Sequence, residues 1–94
     1  MNETYQALGT LIRNYRQDKE MTQLDLAKKL GYDSTQFISL FERGVSKVPH
    51  NILGKLIVIL GIPEKLVLQI LIKDYETSLK SEISAGKKMA RNNH

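Results

Sequence analysis

Apolar residues recur along most of this chain at spacings of three and four, the signature of helices that each bury one face. Leu8, Leu11, Ile12 and Tyr15 make such a face over residues 4–19. Thr22 can cap the next helix, and Asp25, three residues on, completes a Thr-x-x-Asp capping box. Leu24, Leu26, Ala27 and Leu30 supply its apolar positions, and Gly31 stands where a left-handed cap is wanted. Asp33 or Ser34 caps a third helix, with Gln36 placed to assist; Ile38 and Phe41 turn inward and Gly44 ends it. Residues 45–48 form a loop, and Pro49 opens a fourth helix, about 49–60, that is apolar through Ile52, Leu53, Leu56, Ile57 and Ile59. Gly61 terminates it, and Pro63 opens a fifth helix running to about Leu79 or Ile83. A strand competes only at 56–62, where β-branched residues cluster, and the Gly/Pro punctuation favours helix there. The pattern therefore predicts an all-α chain with five helices and an extended C-terminal helix, folded as one domain over residues 4–80.

Residues 22–44, TQLDLAKKLGYDSTQFISLFERG, are the most informative stretch. Two short amphipathic helices joined by a glycine-started turn have the layout of a helix-turn-helix, whose second helix enters the major groove of DNA. The fifth helix, about 63–80, carries a different signal. Leu66, Val67, Leu68, Ile70, Leu71, Ile72 and Tyr75 are too many apolar residues for one stripe facing one core. A helix apolar on two sides has two partners. The second is either another copy of the chain, the favoured reading, or a C-terminal extension folded back. Leu68, Leu71, Ile72 and Tyr75 are the expected dimerisation residues.

Composition narrows the classes. Ninety-four residues suit one compact domain, and the absence of cysteine removes disulfides, thiolate metal sites and cysteine nucleophiles. The first nine residues do not read as a signal peptide, and no apolar run is long enough for a membrane span, so a cytoplasmic protein with no membrane partner is expected. The formal charge is +4. Residues 10–60 carry eight Lys/Arg against five Asp/Glu, and the tail carries Lys87, Lys88 and Arg91 against Glu82. The surplus lies on the helix-turn-helix and on the tail, which suits a polyanion without proving one. The basic tail, 84–94, has little to bury and is expected to be flexible unless a partner orders it. It either reaches along DNA or simply solubilises the end.

With those residues in place, residues 8–72 resemble the lambda-repressor-like, or XRE-type, helix-turn-helix family of DNA-binding regulators. The matching stretches are 11–17 (LIRNYRQ), 21–31 (MTQLDLAKKLG), 38–44 (ISLFERG) and 52–62 (ILGKLIVILGI), in the family's order and spacing. The resemblance implies a five-helix domain binding double-stranded DNA, with a palindromic operator, a homodimer and a repressor's role. It places Gln23, beside the Thr22 cap, on a phosphate, and it brings Arg43 and Lys47 to the backbone as well. Thr22 and Ser34 join that phosphate set. Helix three is the reader: Thr35, Gln36, Ser39 and Leu40 are the expected base contacts. Gln36 can bond bidentately to adenine, and the Thr35 methyl can meet thymine. Phe37 and Leu40 leave two readings, thymine-methyl contact or core, with at least one expected inside. The family often joins an Arg and a Glu at the places of Arg16 and Glu42, so both are taken as structural. The chain departs from the family in two places: 31–38 is one residue longer than the commonest spacing, and the 44–49 loop is also long. Either change turns the reading face. The start of helix three lacks Lys and Arg, which points to A·T rather than guanine reading.

An enzyme is a poor fit. His50 and His94 are the only histidines, no His/Glu pair has ligand spacing, and neither a phosphate-cradling loop nor a serine elbow occurs. No cofactor and no metal are expected. The serious alternative is an antitoxin-type or other protein-interaction module that uses the C-terminal helix and reads DNA weakly or not at all.

Overall fold

The computed structural model describes residues 2–93, so His94, the last residue of the expected tail, lies outside it. Among the described residues every element is a helix: α1 (Glu3–Asp18), α2 (Gln23–Leu30), α3 (Gln36–Glu42), α4 (His50–Leu60) and α5 (Glu64–Asn92). None of these helices is long and apolar enough to cross a membrane. The helix starts follow local chemistry. Thr22 Oγ1 accepts the Asp25 amide at 3.0 Å while Asp25 Oδ2 accepts the Thr22 amide at 3.0 Å, the reciprocal bonding of a capping box. Thr22, through its amide first and its side chain second, holds the Asp25 carboxyl below its ordinary value of 3.8. Gly31, at φ 87°, closes α2 in the left-handed region. The Tyr32 amide then reaches back to the Ala27 carbonyl at 2.9 Å. The cap expected for α3 is weaker: Ser34 Oγ accepts the Gln36 amide at 3.4 Å, and Thr35, the capping position itself, makes no side-chain cap bond.

The core is one cluster to which all five helices contribute. Leu8 and Ile12 of α1, Leu26 and Ala27 of α2, Ile38 and Phe41 of α3, and Leu53 and Leu56 of α4 are all buried, with Val67 of α5. The junction of α1 with the end of α3 is the tightest. A Cβ at Gly9 would stand 2.6 Å from the Glu42 carbonyl oxygen and against the Phe41 carbonyl as well. Two positions past Glu42, Gly44 combines φ 70° with a site where a Cβ would stand 2.7 Å from Gln6 Cα. Leu24, read from the sequence as an inward position, is 42% exposed.

Helix α5 differs most from expectation. It continues to Asn92, well beyond the boundary near residue 80. Only its first three turns meet the rest of the molecule: Val67 is buried, Ile70 and Leu71 pack against the core, and residues 76–92 are exposed throughout. The stretch 84–92, SAGKKMARN, lacks an apolar stripe but is rich in strong helix formers, and backbone propensity is enough to carry the helix on. The projecting arm gives the molecule its 60 × 25 × 19 Å extents.

Candidate nucleic-acid interface

Helices α2 and α3 present one surface, and a buried carboxylate sets its frame. The Glu42 side chain is fully buried at the end of α3. Arg16 Nε donates to its Oε2 at 2.6 Å and Arg16 Nη2 to its Oε1 at 3.0 Å, a bidentate pair. Arg16 Nη1 also donates to the Met21 carbonyl at 2.8 Å, tying the end of α1 to the entrance of α2. The hydrogen bond to Glu42, outweighing desolvation, raises the Arg16 pKa above its ordinary value, so the guanidinium stays charged. Gln23 completes the cluster: its Nε2 donates to Glu42 Oε1 at 3.1 Å. Arg13 Nε lies 3.5 Å from the same oxygen, with its side chain half in water. Two guanidinium groups around one carboxylate leave a net positive charge beside the start of α2.

The residues expected at the site divide by position. Ser34 and Gln36 are exposed at the start of α3, with Thr35, Ser39 and Leu40 half-buried around them. Arg43 is exposed at the far end, its Nε donating to the Ser39 carbonyl at 3.3 Å. Thr22 and Gln23 stand together at the start of α2. Lys47 lines a cleft with Tyr5, Asp74 and Tyr75 between the start of α1 and α5. On α5, Leu68, Ile72 and Tyr75 are exposed, whereas Leu71 is half-buried against the core.

Three features of this surface were not legible beforehand. Arg13 has no local signature beyond its i,i+3 spacing from Arg16. The Gln23–Glu42 bond joins residues from different helices. Phe37 is 47% exposed and stacks on Tyr32, ring centroids 4.9 Å apart, so of Phe37 and Leu40 it is the one further out.

No family profile and no curated protein matches the chain significantly. Solved structures do. The clp gene regulator ClgR from C. glutamicum is 31% identical, with a TM-score of 0.63, over 71% of this chain and 85% of that one. The chain belongs to the lambda-repressor-like, XRE-type helix-turn-helix family of DNA-binding transcription regulators. A variant of the restriction-modification controller protein C.Esp1396I is 27% identical, with a TM-score of 0.62, over 80% of this chain and 99% of that one. The Arg16–Glu42 ion pair that the resemblance implied is present.

Proposed function

We propose that this regulator is a homodimeric repressor that reads a palindromic operator through the major groove with α3. The observation that carries the reading is the exposed Gln36 at the start of a helix whose other end is locked by the Glu42 cluster. A side chain on so constrained a helix can discriminate base edges, because its position is set before DNA arrives. Gln36 is the adenine reader, flanked by Thr35, Ser39 and Leu40. Gln23 is the phosphate clamp: one of its two Nε2 hydrogens is held by Glu42, which aims the other outward. The first-turn amides of Gln23 and Leu24 lack intrahelical acceptors and add a positive helix end. Arg13 joins Thr22, Ser34, Arg43 and Lys47 on the backbone.

The dimer reading rests on α5. Val67, Ile70, Leu71 and Asp74 face inward, while Leu68, Ile72, Tyr75, Leu79 and Ile83 form a second stripe that stays exposed among the described residues. A second copy is the occupant that also supplies the twofold symmetry of an operator.

Selecting fragments from a random DNA pool with the purified protein tests this directly. The expected product is a palindrome with half-sites about 34–36 Å apart, or a multiple of that. In it, Gln36→Ala relaxes choice at one base pair per half-site, by roughly 1–3 kcal/mol. If no fragment is enriched and a variant at Tyr75 instead breaks a complex with another protein, the interaction-module reading replaces this one.

A further inference from the structure

The presented face of α3 is not wholly polar. Phe37 follows Gln36 directly, and Leu40 lies one turn further along the same flank. Phe37 is held between two rings: Tyr32, stacked at 4.9 Å and 27°, and the buried Phe41, with centroids 6.3 Å apart. Ring contacts on both sides fix the direction of the Phe37 ring. Tyr32 sits in the turn between α2 and α3.

An aromatic side chain nearly half in water, yet rigidly supported, is suited to an apolar contact that arrives from outside. The major groove offers one apolar group on the base pairs themselves, the 5-methyl of thymine. We infer that Phe37, with Leu40, receives a thymine methyl group and selects thymine at a position next to the base pair read by Gln36. Tyr32 acts as the positioning residue that holds Phe37 in place. The absence of Lys and Arg from the start of α3, which disfavours guanine, agrees with an A·T preference at these steps. This inference rests on the proposal that α3 reads DNA.

Deoxyuridine differs from thymidine only by lacking that methyl. The test replaces each thymine of the selected operator half-site by deoxyuridine, one at a time, and measures affinity by fluorescence anisotropy at fixed salt. At one or two positions the wild-type protein should lose roughly four- to tenfold in affinity, the scale of one buried methyl group. Phe37→Ala should bind both bases equally at that position. Tyr32→Ala should shrink the thymine-to-uracil ratio there, a change that general weakening of the fold would not cause. Phe37→Leu, which keeps bulk against Phe41, should retain part of the ratio and guards against loss of folding in the alanine variant. Equal affinity for both bases at every position, with binding otherwise intact, overturns this inference alone, as does a ratio that survives Phe37→Ala. A failure of the wild-type protein to bind any selected fragment overturns the DNA reading and this inference together.

Discussion

Among single residues, Glu42 carries the most consequence per atom. It is fully buried, and its two oxygens are shared by Arg16, Gln23 and, more distantly, Arg13. A buried ion pair adds little net stability, but removing one partner strands the other charge. Glu42→Ala should therefore cost about 3–5 kcal/mol in urea unfolding, while replacing Arg16 and Glu42 together by methionine should cost far less. If the double replacement is as damaging as the single one, the stranded-charge account is wrong. Asp25 supplies a pH-dependent term of known sign. Its folded pKa lies below the ordinary 3.8, so the stability it contributes is complete above that value and disappears as pH falls through the folded value. The unfolding midpoint of the wild type should drop below pH 4 more steeply than that of Asp25→Asn, measured by thermal scans from pH 5 to pH 2. Of these residues, Thr22 and Asp25 could be read from their spacing because capping is local. The Gln23–Glu42 bond and the crowding at Gly9 could not, because both depend on how closely α1, α2 and α3 approach.

Among elements, α5 matters most for assembly. At about 1.5 Å per residue its 29 residues span roughly 44 Å, and residues 76–92 lie beyond the globular body. The outer stripe Leu68, Ile72, Tyr75, Leu79 and Ile83 advances by four, three, four and four residues, close to the 11-residue period of nearly straight or slightly right-handed helix pairs. Two such helices can stay in contact along that length without the left-handed supercoil that a strict heptad imposes. If α5 pairs as proposed, Ile72→Lys combined with Leu79→Lys should leave only monomer in sedimentation velocity where the wild type is a dimer, with helical circular dichroism largely retained. Collapse of the whole fold at low denaturant would instead place those residues in the core. The excess of apolar residues in α5 was evident from the sequence, because two faces cannot serve one core. Its length was not, since residues 84–92 bury nothing and the helix there rests on propensity.

For the whole molecule, the charges decide how DNA would be approached. Arg13, Arg43 and Lys47 all reach water, and Lys47 lies nearest the α5 side. A dimer using these three cations from each subunit should show log K falling with log salt at a slope of about −5. Lys47→Ala should reduce that slope by roughly two and weaken every sequence alike, in contrast to Gln36→Ala. A slope unchanged by Lys47→Ala would remove that residue from the backbone set and leave the operator gripped nearer α2 and α3.

The order and identity of the helices, the turn chemistry at Thr22 and Gly31 and the family itself followed from the sequence alone. All of these depend on periodicity and on bonds between near neighbours, which a linear string records. Tertiary structure decided the rest: that Gln23 is tied to Glu42, that Arg13 joins the same cluster, that Lys47 lines a cleft beside α1 and α5 and that Phe37 is held outward on Tyr32. Each of these depends on the angle and distance between packed helices. Close packing settles those quantities for the whole core at once, so no single segment encodes them.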